Sequence, residues 1–253
     1  YRGGGRSSGR ETIGRVAGGA VALAFLKELG IEITAYTRQI GPVAIDNPLS
    51  TDLLKLRQAI MNSEIYMPDE AKTKDAVDYL SRMTENMDSA GGMVECVVNG
   101  VPAGLGDPVF DKLDANLAKA IFSIGAVKGF EIGDGFKAAE SRGSENNDEF
   151  ISENGNVTKS TNHSGGILGG ISDGSQIVFR AAFKPTPSIA REQKTVDNSG
   201  NETEIEIHGR HDPLIVPRAV VVAESMAKLV IVDEIMDGMR SRVSFIKEFY
   251  ERL

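Results

Sequence analysis

One cysteine in 253 residues excludes an internal disulfide framework and fits a reducing compartment, so a cytoplasmic protein is expected. That cysteine, Cys96, lies in the strand-like run Met93-Val94-Glu95-Cys96-Val97-Val98 and reads as a packed thiol rather than a nucleophile. Only three histidines occur (His163, His208, His211), without metal-ligand spacing, and no structural metal is predicted. No Gly-Lys-Ser/Thr sequence ends a glycine loop, which removes a nucleotide P-loop. A Gly-x-Gly-x-x-Gly turn between strand and helix is also missing, which weakens an ordinary flavin oxidoreductase. Basic charge is not in excess: the net charge of −8 argues against broad nucleic-acid binding while leaving room for a small anion in a local arginine pocket. There is neither an uninterrupted apolar run nor an opening secretory signal, so no membrane partner is expected. At 253 residues, 41% of them hydrophobic, the chain can bury a full core as one large domain or two intimate ones.

Several stretches carry chemistry. Gly209-Arg210-His211-Asp212-Pro213 precedes an apolar run from 214 to 232 that is broken by Arg218, Glu224 and Lys228. Pro213 suits a first helical position and Asp212 an N-cap, so a helix is expected from 213. A helix N-terminus beside an arginine can receive a phosphate, although a capped helix with an exposed loop explains the same residues. At the other end, Gly3 to Gly9 with Ser7 and Ser8 can wrap an anion with backbone N–H groups, and Arg2, Arg6, Arg10 and Arg15 form a cationic cluster. A bland glycine loop is the alternative there. Asn162 to Gly170 holds four glycines in nine residues, which suggests backbone pressed against a ligand or another strand. Lys184-Pro185-Thr186-Pro187-Ser188 is a rigid turn with a cation and two hydroxyls, or simply an exposed proline turn.

Between these, helical periodicity covers residues 12–29 with Gly30 as stop, 53–61, 68–87 and 109–122, and a last helix runs from 233 to the end. In the first helix Gly14, Gly18 and Gly19 permit close backbone approach. Strand alternation covers 31–40, 93–98 and 204–208, with Asn99-Gly100 as a hairpin signal. Residues 138–160 are polar and acidic and read as a mobile surface loop. Helix and strand signals mix without a βαβ rhythm, which predicts the α+β class.

The opening Arg6-Ser7-Ser8-Gly9-Arg10-Glu11-Thr12 entering a small-residue helix closely resembles a signature of chorismate synthases. Asn162 to Ser172, Phe183 to Ile189, and Gly209 to Pro213 followed by Arg218 and Ala223-Glu224-Ser225-Met226 resemble further stretches of the same family, in the same order. The resemblance implies a layered β-α-β sandwich with helices between antiparallel sheets, assembled as a homotetramer. It implies conversion of 5-enolpyruvylshikimate 3-phosphate to chorismate and phosphate, a 1,4-elimination by a carbon–oxygen lyase that uses reduced FMN. Some members reduce that flavin with a nicotinamide cofactor, which makes NADPH a candidate reductant. Residue by residue, it makes Asp212 the base near the flavin and Arg10 a substrate-binding cation. It places Arg6, Ser7, Ser8, Gly125, Ala126, Gly169, Lys184, Pro185, Thr186, Pro187, Ser188 and Arg210 at the cofactor. Gly125 stands where family members often carry asparagine. Two upstream family motifs, Gly-x-Ser-His-Gly-like and Arg-Pro-Gly-His-like, do not occur here. The resemblance therefore implies an N-terminally shortened member whose turnover needs the histidines of those motifs. A non-catalytic flavin- or phosphate-binding polypeptide is the alternative.

Overall fold

The computed structural model describes residues 5, 8–46, 52–153, 155–207, 209 and 212–251. It is an α+β structure. Helix α1 (Thr12–Glu28) leads to strand β1 (Glu32–Ile40) and the short β2 (Val43–Ala44). Helices α2 (Leu53–Met61) and α3 (Glu70–Glu85) follow, then β3 (Gly92–Asn99), α4 (Leu113–Phe122), β4 (Val127–Ile132) and the single-turn α5 (Gly143–Asn146). Two small hairpins come next: β5 (Phe150–Glu153) with β6 (Asn156–Lys159), and β7 (Ile167–Leu168) with β8 (Ile171–Ser172). Strand β9 (Ile177–Phe183), the hairpin β10 (Gln193–Val196) with β11 (Glu202–Ile205), and helices α6 (Val216–Met239) and α7 (Val243–Glu251) complete the chain. The largest sheet has five strands in the order β2-β1-β3-β9-β4.

The residues fall into two compact units. One comprises Tyr1–Ala35, Glu95–Ala181 and Val221–Leu253, the other Tyr36–Val94 and Ala182–Val220. In the first, Leu26, Leu113, Leu117, Ile121, Ile177, Phe179, Ala223 and Ile231 are fully buried. In the second, Tyr36, Ile40, Leu53, Leu56, Met67 and Ala76 play that part. Cys96 is buried, and desolvation, reinforced by the Glu224 charge, pushes its thiol well above the ordinary value, as a packed thiol requires.

Helix α1 starts after a 3-10 turn, Gly9–Glu11, capped by the Ser8 hydroxyl, and stops at Gly30, whose φ of 71° only glycine adopts freely. Its buried line is Gly19, Ala22 and Leu26. Of the three glycines expected to allow close approach, Gly19 alone does so: a Cβ there would overlap the Cα and Cβ of Ser225 on α6. At Gly18 a Cβ would sit 3.5 Å from Leu229, an ordinary contact, and at Gly14 it would meet open space. Neighbouring substitutions should therefore have opposite signs. Gly19→Ala is expected to lower stability by about 1–3 kcal/mol through overpacking, whereas Gly18→Ala should raise it by about 0.5–1 kcal/mol through helix propensity. Thermal unfolding of the two variants measures this directly; a common sign would refute the close contact.

Several sequence expectations need correction. Asn99-Gly100 makes no hairpin: β3 pairs with β1 and β9 rather than with the next strand, and Gly100 instead packs on Gly30, whose carbonyl a Cβ would strike. Residues 138–160 contain α5 and the β5–β6 hairpin. The 204–208 strand is β11 at Glu202–Ile205, paired with β10, and all four of its residues are exposed. The long helix begins at Val216 rather than 213 and runs unbroken through Asp233 to Met239, before a separate α7. Pro213 is used otherwise: its carbonyl accepts the Ala90 N–H at 2.8 Å and Leu214 forms a parallel bridge with Ala90. The proline inside the first helical turn is Pro217, whose missing N–H is harmless there. The helix expected over 109–122 is shortened to Leu113–Phe122.

Candidate functional site

In the first unit, Ser8 accepts the Arg10 backbone N–H at 3.3 Å, and the exposed Arg10 follows it in the 3-10 turn. Arg15, read from sequence as one of an anion-binding cluster, is committed elsewhere. Its Nη1 donates to Ser123 Oγ at 2.5 Å and its Nη2 to the Ser123 carbonyl at 3.1 Å, while Nε reaches Glu11 at 3.2 Å. This fork ties the start of α1 to the turn that carries Gly125 and Ala126. It thereby connects two groups of predicted cofactor residues, a role the sequence did not signal. Ala126 holds φ at 72°, a left-handed conformation that costs a non-glycine residue about 1–2 kcal/mol. A Cβ built on Gly125 meets nothing within 4 Å.

Gly169 and Gly170 form the two-residue turn of the β7–β8 hairpin, at φ 60° and 86°. Positive φ at both central positions is the demand of a type I′ turn, which accounts for the glycines by backbone geometry. Gly170 is packed against Lys112, and its carbonyl accepts the Leu113 N–H at 2.9 Å. Gly169, in contrast, is exposed, with nothing within 4 Å of a built Cβ. His163, just before the glycines, places Nδ1 2.6 Å from Asp134 Oδ2, a pair that sequence spacing could not reveal.

In the second unit, the turn of residues 184–188 leaves β9. Ser89 Oγ donates to the Thr186 carbonyl at 2.7 Å, and Gly91 packs so closely on the Phe183 carbonyl and Pro185 that a Cβ would not fit. Lys184, Pro185 and Pro187 are exposed and Ser188 is half-buried. The Thr186 hydroxyl oxygen is buried and has no hydrogen-bond partner among the described residues. A buried hydroxyl without a partner costs about 1–3 kcal/mol, a cost that a bound acceptor or donor removes.

Asp212 does not cap a helix. Both of its carboxylate oxygens are held by Arg218: Nη1 to Oδ2 at 2.7 Å and Nη2 to Oδ1 at 2.8 Å. Hydrogen bonding to Asp212, then its charge, raises the Arg218 guanidinium above its ordinary value. The pair lies at the foot of α6, because Pro213 and Leu214 are engaged with Ala90 while Ile215 accepts the N–H groups of Arg218 and Ala219. Arg6, Ser7 and Arg210, predicted at the cofactor, lie outside the described residues, as does His211. Among the described residues no group of histidine, cysteine, aspartate and glutamate could hold a metal ion, and no helix is long and apolar enough to cross a membrane.

This α+β architecture matches that of a known enzyme. A crystal structure of chorismate synthase superposes on 97% of the chain and 69% of its own with a TM-score of 0.78 and 31% identity. The family model for chorismate synthase matches residues 1–236. Among curated relatives, chorismate synthase of Lachnoclostridium phytofermentans is 60% identical over the whole chain, which covers 68% of that relative. The enzyme of Methanosarcina mazei is 52% identical over 93% of this chain and 64% of its own. That of Bacteroides fragilis is 48% identical over 92% and 64%. Relatives of this kind make the chain a lyase of aromatic biosynthesis. The chain belongs to the chorismate synthase family, and chorismate synthesis is its function.

Proposed function

We propose that the protein eliminates phosphate from 5-enolpyruvylshikimate 3-phosphate, as a carbon–oxygen lyase acting on phosphates, at a site built for reduced FMN. The observation that carries the cofactor assignment is the Thr186 hydroxyl, buried without a partner among the described residues inside a turn that also contains a lysine and a serine. That is the donor set a phosphate or ribityl chain needs. The open backbone faces of Gly125 and Gly169, with Ala126 beside the first, suit the approach of a flat ring.

When bound, reduced FMN supplies electron density that eases departure of the allylic phosphate. The chain's own residues do the rest. Arg10 holds an anionic group of the substrate as a fork of donors. Asp212 accepts the proton released in the elimination, with Arg218 fixing the direction of both carboxylate oxygens. Lys184, Thr186 and Ser188, framed by Pro185 and Pro187, grip the cofactor's phosphate end, and Ser8, Arg6, Ser7 and Arg210 complete its binding. The same reading makes NADPH a candidate reductant, the cytoplasm the compartment and a homotetramer the assembly, with residues 1–253 belonging to one chorismate synthase-like domain.

Two experiments test this. Thr186→Val is expected to weaken FMN binding about five- to ten-fold, the worth of one hydrogen bond. It should leave the thermal midpoint of the flavin-free protein unchanged or slightly raised, since the hydroxyl has no partner among the described residues to lose. Unaltered FMN affinity would remove Thr186 from the cofactor site. Anaerobic incubation with dithionite-reduced FMN and substrate, alongside a segment supplying the two upstream histidine motifs, should release chorismate and phosphate in equal amounts. Phosphate without chorismate would sink the elimination.

A further inference from the structure

Asp148 has no part in the reaction as described, yet its carboxylate gathers a whole segment. Oδ1 accepts the Thr161 hydroxyl at 2.8 Å and the His163 N–H at 2.7 Å. Oδ2 accepts the Ser164 N–H at 2.9 Å and the Ser164 hydroxyl at 2.5 Å. The Lys159 ammonium stands 3.7 Å away, and the Asp148 side chain is 3% exposed. Burial pushes this carboxyl up, but the bonds from Ser164, His163 and Thr161 outweigh it and hold it well below the ordinary range. It is therefore charged at neutral pH.

The groups it holds form the entrance to the glycine turn. Asn162 Oδ1 accepts the Gly166 N–H at 2.8 Å, and the Gly165 carbonyl accepts the Val178 N–H at 3.2 Å. On the opposite side the His163 carbonyl accepts the Asp134 N–H at 2.8 Å. Gly165, Gly166, Gly169 and Gly170 all hold positive φ. Four such glycines in one short segment lose much conformational entropy on ordering, and a ligand meeting a loose segment bears that cost in affinity.

We propose that Asp148 is a positioning residue, which clamps residues 161–164 so that the hairpin turn at Gly169 is preformed for the flavin. The inference rests on the reading that Gly169 faces FMN. An asparagine in its place would turn an NH2 group toward either the donors of Ser164 or those of Thr161 and His163, breaking one side of the clamp.

The test combines amide hydrogen exchange, read peptide by peptide, with FMN fluorescence titration of Asp148→Asn and Gly169→Val. In Asp148→Asn, protection should fall across 161–170 while α1 and α3 keep theirs, and the FMN dissociation constant should rise about ten-fold or more, the worth of a charge-assisted hydrogen bond. Gly169→Val puts a side chain on the open face and strains a turn residue held at φ 60°, so it should weaken FMN while exchange across 161–164 stays as in the wild type. Should Asp148→Asn fail to fold, Thr161→Val removes a single bond and should reproduce the same exchange pattern with about a three-fold weaker FMN. Unchanged protection in Asp148→Asn would overturn the clamp. FMN affinity untouched by Gly169→Val would overturn the reading beneath it. An effect of Gly169→Val on affinity with none from Asp148→Asn would remove Asp148 alone.

Discussion

Replacing Asp212 by asparagine is expected to lower turnover by roughly 10²- to 10⁴-fold, the usual contribution of a positioned acid or base. FMN affinity should stay within about a factor of two, since an isosteric amide removes basicity and little else. The structure makes this substitution clean. The Asp212–Arg218 pair lies at the foot of α6 with the two side chains 35% and 65% exposed, so loss of one of its two hydrogen bonds costs little stability. An asparagine oxygen can keep one bond to the guanidinium while the amide nitrogen loses the other. The fold, the helix start and the Ala90–Pro213 hydrogen bond at 2.8 Å then survive, and a rate loss belongs to the chemistry. The loss should fall on kcat and leave the substrate KM nearly untouched. Equal losses in FMN affinity and in rate would count against a base role.

The largest expected effect on stability comes from Lys159→Ala, about 3–5 kcal/mol, because it strands the Asp173 carboxylate and removes the positive charge beside Asp148. The ammonium is 3% exposed and pairs with Asp173, with Asp148 at 3.7 Å; the two carboxylate side chains are 8% and 3% exposed. It also donates to Ser164 Oγ at 3.2 Å and lies 5.7 Å above the Phe150 ring. Both carboxyls are held below their ordinary value: burial opposes this, but the Lys159 bond prevails at Asp173 and the Ser164, His163 and Thr161 bonds prevail at Asp148. Groups whose folded pKa is depressed contribute stability that is complete above the unfolded value, about 4, and is lost as pH falls through the lower folded value. The gap between wild type and Lys159→Ala should therefore be full near neutrality and narrow as the pH drops below about 4. Chemical unfolding at a series of pH values measures it. A gap that stays constant with pH would show that the lysine contributes packing rather than charge.

Much of the fold could be read before any coordinates. Helix α1 with its Gly30 stop, and α2, β1, α3 and β3, all fall within two or three residues of the expected limits. Each is a local pattern, a run of apolar spacing closed by a cap or a glycine, and local patterns survive in sequence. What was hidden is nonlocal. The acidic stretch 138–160 looks too polar to order, yet the Lys159 and Asp148 side chains are buried at 3% exposure because each finds a partner after the stretch, at Asp173 and at residues 161–164. The shift of the α6 start from 213 to 216 follows from Ala90, a residue 123 positions upstream of Pro213 that takes its carbonyl. Arg15 could be read as a cation but not as a strut to Ser123.

The candidate site was legible through resemblance more than through spacing. Glycines at 165–170 announced a special backbone, and geometry explains them first as a positive-φ segment ending in a hairpin turn. Exposed Gly169 is what leaves a face for a ligand. The burial of the Thr186 hydroxyl had no sequence signal, since Lys-Pro-Thr-Pro-Ser also describes an ordinary surface turn.

On the proposed function, this chain's own residues form a flavin site. Fluorescence titration of the wild-type polypeptide with FMN, repeated under anaerobic reduction with substrate present, tests it most directly. Saturable one-to-one binding that tightens when both reduced flavin and substrate are present is the expected result. Quenching that never saturates, under either condition, would contradict it.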